Sequence, residues 1–181
     1  MASQPSPLTI EEFHKLYDGA KPAYEYWHGV AVRKSMPTFL HGLVQFVIMT
    51  LLKDAGWTTA PEVRLKVVSN VEPVPDVIAI RGKARGRYPT SAPELCVEIL
   101  SPGDTLAKAI HKAQTYISWG SQAAWIIDPE MRTAWILLGD GVSEPVWIPP
   151  GGSLPVGDTS IELRELFAEV DRRFEGQEDR E

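Results

Sequence analysis

Glu94-Leu95-Cys96-Val97-Glu98-Ile99-Leu100 is the stretch on which the fold turns. Leu95, Val97 and Ile99 alternate with Cys96, Glu98 and Leu100, and at the two-residue period of a strand each set occupies one face. The stretch therefore reads as a strand that carries a carboxylate inward, with Glu98 held between two apolar neighbours. An ionised carboxylate left without a partner in such a place costs several kcal/mol or takes up a proton, so a sequence that keeps it there usually supplies a cation.

Upstream, Val74-Pro75-Asp76-Val77-Ile78-Ala79-Ile80 has the same character, with Asp76 on one face together with Ile78 and Ile80. The two acids are 98 − 76 = 22 residues apart, room for the first strand, a loop and the second strand, so the carboxylates converge if the strands are neighbours. Converging carboxylates repel each other. A hard divalent cation turns them into oxygen ligands, and Mg2+ is typically held by one or two carboxylates plus substrate phosphate.

Working back from Asp76, Trp57–Ser69 alternates as a strand and Asn70–Pro73 reads as a turn. Met36–Leu52 contains no Lys, Arg, Asp or Glu, and Gly56 closes the run, so Pro37–Asp54 is expected as a helix ended by glycine. It is at the short end for a membrane span and is interrupted by His41, Gln45 and Thr50, which favours burial against a sheet. His41 is then either a core-edge histidine bonded to backbone or a site residue. Lys21–Lys34 reads as a hairpin turning near His28-Gly29, with Glu25 between Tyr24 and Tyr26 as either an exposed strand acid or an auxiliary site acid. Thr9 and Glu12 have capping-box spacing and open a short helix with Phe13, Leu16 and Tyr17 as its apolar face.

Forward from Asp76, Arg81, Lys83, Arg85 and Arg87 stand at every second position beside glycines. They form a flexible basic loop on the strand that bears Asp76, expected beside the acids, and either grip phosphates or are simply solvated. After Leu100, Ser101–Asp104 ends the strand and caps a helix running to Gly120. At about 100° per residue, Leu106, Ala109, Ile110, Ala113, Tyr116 and Ile117 form one apolar stripe. Lys112 lies at its border, where its stem can follow the stripe and its ammonium can reach a carboxylate, whereas Lys108 lies on the wet side. Ala123–Asp128 and Thr133–Leu138 form a hairpin turning at Pro129–Arg132, and a symmetric turn sets Trp125 opposite Trp135. These tryptophans are core, or the contact of a homodimer. Val142–Ile148 adds a strand, Leu163–Val170 a last helix, and Gly176–Glu181 a disordered acidic tail.

With 181 residues and 44% hydrophobic content, the chain holds one well-filled core, expected as a single domain over 1–175. Of the net charge of −6, residues 161–181 carry −4, with eight acids against four bases. The rest is close to neutral, which excludes the strongly basic footprint of a dedicated nucleic-acid binder and leaves local or metal-assisted contact. The one cysteine, Cys96, excludes an internal disulfide, and no cysteine and histidine group has zinc spacing. MASQPSPLTIEEF lacks the basic flank and apolar core of a signal peptide, so the cytoplasm is the expected location, with no membrane partner.

Pro75-Asp76, Glu98-Ile99-Leu100-Ser101-Pro102, Lys112, Tyr116 and Trp125-Ile126-Ile127-Asp128-Pro129, in that order, resemble the restriction-endonuclease family of small prokaryotic proteins within the PD-(D/E)xK nuclease superfamily. Tyr24-Glu25, Gly29 and His41 match as well, and the resemblance covers roughly residues 8 to 167. The usual superfamily lysine stands two residues after the second acid, where this chain has Leu100. It resembles the branch in which that lysine has moved to the following helix, here Lys112; Lys108 stands where the family often has an acid.

The resemblance implies an α/β fold with a restriction endonuclease-like mixed β-sheet core of αβββαβ order, plus an added N-terminal helix and hairpin. It implies a divalent-metal-dependent endonuclease that hydrolyses phosphodiester bonds, in DNA before RNA. Asp76 and Glu98 would hold Mg2+ or Mn2+ with the Ile99 carbonyl, Lys112 would position or polarise the attacking water, and Glu25 and His41 would assist. Two other readings stay open. One is a nuclease fold that no longer cleaves and serves in binding or assembly; the other is an α/β domain whose buried acids pair only with Lys112 or Arg64.

Overall fold

A computed structural model describes residues 7–139 and 144–175. In chain order the elements are α1 (Ile10–Tyr17), β1 (Tyr24–Trp27), β2 (Val30–Arg33), α2 (Phe39–Asp54), β3 (Thr58–Pro61), β4 (Val71–Glu72), β5 (Val77–Ile80) and β6 (Leu95–Ile99). They continue with α3 (Leu106–Ser118), β7 (Ala123–Asp128), β8 (Thr133–Leu138), β9 (Val146–Ile148), β10 (Ser153–Val156), β11 (Thr159–Glu162) and α4 (Leu163–Asp171). The expected acidic tail over 176–181, and the start of the strand expected from Val142, lie outside the described residues.

The main sheet runs β3-β5-β6-β7-β8-β9, with β6 and β7 parallel and every other neighbouring pair antiparallel. A parallel pair needs a long crossover, and α3 supplies it. Leu95, Val97 and Ile99 pack with Val44, Val47 and Ile48 of α2 and Leu166 and Phe167 of α4, while Cys96 and Ile78 pack with Ala109, Ala113 and Tyr116 of α3. All five residues of β6 are therefore buried, and the strand reads apolar on both faces except at Glu98. The series α2-β3-β5-β6-α3-β7 has the expected αβββαβ order. Cys96 is a buried free thiol, and no helix among the described residues is long and apolar enough to cross a membrane.

The added N-terminal unit is larger than the sequence suggests. Thr9 and Glu12 form the capping box of α1, and Phe13 is fully buried, but Leu16 remains 60% exposed because so short a helix covers the sheet with one side only. The hairpin turns at His28 and Gly29, both at positive φ. The expected turn over Asn70–Pro73 is instead β4, which pairs Tyr26 with Glu72 and Trp27 with Val71 and makes a three-stranded sheet β2-β1-β4. The strand expected over Trp57–Ser69 stops at Pro61, since Glu62 takes φ of 50° and leaves the extended region. The hairpin β10-β11 has no counterpart in the sequence reading.

Two further expectations are corrected. Asp104 does not cap α3: its carboxylate accepts from the Ser101 backbone N–H at 2.9 Å and the Ser35 hydroxyl at 2.7 Å, and Thr105 takes the N-cap position with no side-chain bond. In the β7-β8 hairpin, Asp128 pairs directly with Thr133, which sets Trp125 against Ile136 and Trp135 against Ile126. The Asp128 carboxylate accepts from the N–H groups of Glu130 and Met131, closing a four-residue turn. One residue of slip moves every side chain to the other face, so the two tryptophans lie on opposite sides of the sheet. Trp125 is completely buried in the α2 and α4 layer, and its indole N–H donates to the Pro155 carbonyl at 3.0 Å.

Candidate active site

Asp76 stands immediately before β5, where its backbone N–H donates to the Val97 carbonyl at 3.0 Å. Its side chain extends the pairing that the backbone ends: the Ile99 N–H donates to Oδ2 at 2.7 Å. Nε2 of His41 lies 3.4 Å from the same oxygen, and the Gln45 amide donates to the Asp76 carbonyl at 2.7 Å. Oδ1 receives the Lys34 ammonium at 2.7 Å, and that ammonium also donates to the Val74 carbonyl at 2.8 Å. One residue thus ties β5, β6, α2 and the end of the N-terminal hairpin together.

Continuing the β5-β6 register of Val77 with Val97 sets Glu98 across from Asp76 at the same sheet end, and its side chain reaches α3. Lys112 donates to its Oε2 at 2.7 Å and the Tyr116 hydroxyl to its Oε1 at 2.6 Å, so positions one turn apart on α3 hold both oxygens. Lys112 also reaches Glu25 Oε1 at 2.8 Å. Glu25 is itself fixed by the Val74 N–H at 2.8 Å, which the docking of β4 on β1 brings near, and by the Trp27 indole of its own strand at 3.1 Å. Arg64 reaches neither central acid and pairs with Glu72 and Asp18, which removes it from the reading in which it neutralised them.

Burial governs the electrostatics. It works against the ionised Asp76, but the hydrogen bond with His41 and the charge of Lys34 more than offset it and hold the carboxyl well below its ordinary range. At Glu98, burial wins over the attraction of Lys112, with Asp76 and Glu25 adding repulsion, and the carboxyl is pushed up to about 7. Burial would also strip the proton from Lys112 and from Lys34, yet Glu25 and Glu98 keep the first, and Asp76 the second, above the ordinary lysine range. At formal charges, three carboxylates (Asp76, Glu98, Glu25) face two ammoniums (Lys34, Lys112), with His41 counted neutral. The group is one positive charge short.

These side chains line a cavity of about 600 Å3, along with Ile99, Trp27, Arg33, Lys108 and His111. The structure therefore brings together Asp76, Glu98, Lys112, Glu25, His41 and Ile99. It does not bring the basic loop to them. Arg81, Lys83, Arg85 and Arg87 follow the far end of β5, which the strand's rise puts more than about 13 Å from Asp76. All four are exposed. Arg81 is engaged there, paired with Asp158 and stacked 3.9 Å above the Trp57 ring. Among the described residues no group of three or more His, Cys, Asp or Glu is arranged to hold a metal on its own.

Lys34 is the site residue that sequence reasoning missed. A signal for it existed in the hairpin. Glu25 pairs with Val32, and the Lys34 N–H bonds the Ala23 carbonyl at 2.9 Å, so by the two-residue period Lys34 shares the face of Glu25. Placing Glu25 inward also places Lys34 inward.

Comparison with known proteins agrees with this architecture. Residues 10–166 match the model of a family described as "Uma2: Putative restriction endonuclease". Among solved structures, the crystal structure of a "putative nuclease belonging to DUF820" from Anabaena variabilis is similar over 91% of this chain and 99% of that chain, at 25% identity and a TM-score of 0.74. A cryo-electron microscopy structure of the DrdV–DNA complex overlaps 70% of this chain and 10% of that one, at 16% identity and a TM-score of 0.40. No curated protein matches.

Proposed function

The chain belongs to the Uma2 family, and from that premise we propose that it is a divalent-metal-dependent endonuclease acting on DNA, the substrate of restriction endonucleases. The observation that carries this reading is the meeting of Asp76 and Glu98 in one cavity, with Lys112 bonded to Glu98 at 2.7 Å. The donor set fits Mg2+ or Mn2+: two carboxylates on adjacent strands, oxygen ligands only, in a group one positive charge short. Asp76 and Glu98 would hold the ion, with the Ile99 carbonyl as a further ligand on the strength of the resemblance. When bound, such an ion polarises a phosphoryl oxygen and lowers the pKa of water.

The protein's own groups do the remainder. Lys112, held by Glu98 and Glu25, presents a fixed ammonium that orients the attacking water and offsets charge developing on the phosphate. Glu25 aims Lys112, and His41 aims Asp76. Tyr116 keeps its proton, since burial and Glu98 raise its pKa, and so remains a donor that fixes the Glu98 rotamer.

Incubation with supercoiled plasmid and an RNA panel tests the reading. It expects nicked or linear DNA with Mg2+ or Mn2+, none with chelator, and about 10³-fold less with Glu98→Gln. Duplex binding without cleavage under any metal would make the chain a binding module on a nuclease fold.

A further inference from the structure

We propose that Lys34 occupies the place on Asp76 that a divalent cation takes, so that the metal-free protein carries a built-in competitor for its own metal. The inference rests on the two-carboxylate reading above and adds a residue that sets both metal and phosphate affinity.

The Lys34 ammonium has the oxygen environment of a hard cation: a carboxylate oxygen, Asp76 Oδ1, at 2.7 Å and a backbone carbonyl, Val74, at 2.8 Å. The other Asp76 oxygen is already committed to the Ile99 N–H and to His41. An ion arriving at Asp76 therefore meets the oxygen that Lys34 holds. Lys112 does not compete there, because its ammonium is bonded to Glu98 and Glu25. Lys34 also lines the cavity, so once displaced it stays next to whatever enters.

The charge count gives the competition a purpose. With all three carboxylates ionised the metal-free group stands at −1; a divalent ion brings it to +1, which one phosphodiester neutralises. Without Lys34 the metal-loaded group would already be neutral and would attract a phosphate less. Lys34 thus weakens the metal and strengthens the substrate. A lysine that merely pins the hairpin to the sheet would give no such opposition of sign.

The test titrates Mn2+ calorimetrically into the full chain and its Lys34→Met and Lys34→Arg variants, and measures duplex DNA binding with Ca2+ by fluorescence anisotropy. Lys34→Met is expected to bind Mn2+ tighter, on the order of tenfold or more, because a cation beside the ligand oxygen is gone, and to bind DNA more weakly. Lys34→Arg keeps the charge and should follow the parent. If the parent binds Mn2+ and Lys34→Met binds it equally or less, the inference fails while the two-carboxylate site stands. If neither binds Mn2+, both fail. A measurement on the unaltered chain covers misfolding of the variant: acylation of Lys34 by an amine reagent, read by mass spectrometry, should speed up in saturating Mn2+. Unchanged acylation while Mn2+ binds overturns the inference.

Discussion

At the start of β5, Asp76 is 4% exposed and every oxygen of its carboxylate has a partner; past the other end of the same strand, Lys83, Arg85 and Arg87 stand in solvent on a glycine-rich loop. One short strand separates two opposite treatments of charge. In the buried end the effective dielectric is low, each charge depends on its neighbours, and deleting one leaves another stranded. On the loop, water and salt screen each charge separately. Charge density in sequence draws attention to the loop, yet the proposed chemistry needs the buried end.

The contrast is broken most directly at the acids. Asp76→Asn and Glu98→Gln should each abolish Mn2+ binding by calorimetry and lower cleavage by about 10³-fold, the several kcal/mol that a bound cation contributes. Their effects on metal-free stability should differ in sign. Asp76→Asn leaves Lys34 buried without its carboxylate and should cost about 3–5 kcal/mol. Glu98→Gln removes a carboxyl that burial already disfavours, and Lys112 keeps Glu25, so the melting temperature should hold or rise. Equal losses in both variants would erase the distinction.

Next in size is Lys112→Ala, expected to slow cleavage by about 10²–10³-fold, as for removal of one transition-state donor. Lys108→Ala, exposed at the cavity rim, should change it little. Two harmless substitutions in an active protein would remove the lysine assignment.

Acidity separates the two carboxylates more gently. Glu98 is raised from an ordinary 4.5 to about 7, so its contribution to metal-free stability is fully present below pH 4.5 and is lost as pH rises through 7, a few kcal/mol at about 1.4 per tenfold. Asp76 is lowered, so its contribution is present above the ordinary carboxylate range and is lost on acidification below it. Melting curves from pH 4 to 8 should show the first trend in the parent and a flatter one in Glu98→Gln. A flat parent curve would deny Glu98 its raised pKa.

The smallest effect belongs to the loop. In a cleavage-dead background, the Arg85→Ala, Arg87→Ala double variant should flatten the log–log salt dependence of duplex binding by about 2, at roughly −0.9 per neutralised phosphate, without altering sequence preference. An identical slope would leave the loop as a solvated connection.

The parts of the fold legible in the sequence were those where one residue violates its surroundings. Glu98 in an apolar strand, Asp76 at the head of another, and Lys112 at the border of an apolar stripe each announce a cost that only a partner offsets. What stayed hidden depends on pairing between distant segments. β4 has two residues and no period of its own, so Val71–Glu72 reads as turn until β1 is beside it. Lys34 is 42 residues from Asp76 and follows a strand that is mostly exposed. The tryptophan register failed by one residue because the Asp128 side chain, not strand symmetry, sets that turn.

The parallel β6-β7 pairing also fixes when, during synthesis, the site can exist. Asp76 and Glu98 leave the ribosome before Lys112, and β6 gains its second neighbour only with Ala123–Asp128, which must emerge after the whole of α3. The covering α4 layer, Leu163–Asp171, comes later still. A nascent chain therefore holds both acids before β6 has its second neighbour and before α4 covers the apolar side of the sheet, and long-range pairing of this kind is slow to form. On the proposed function, an unfinished chain would not yet hold the two acids in the geometry that cleavage needs.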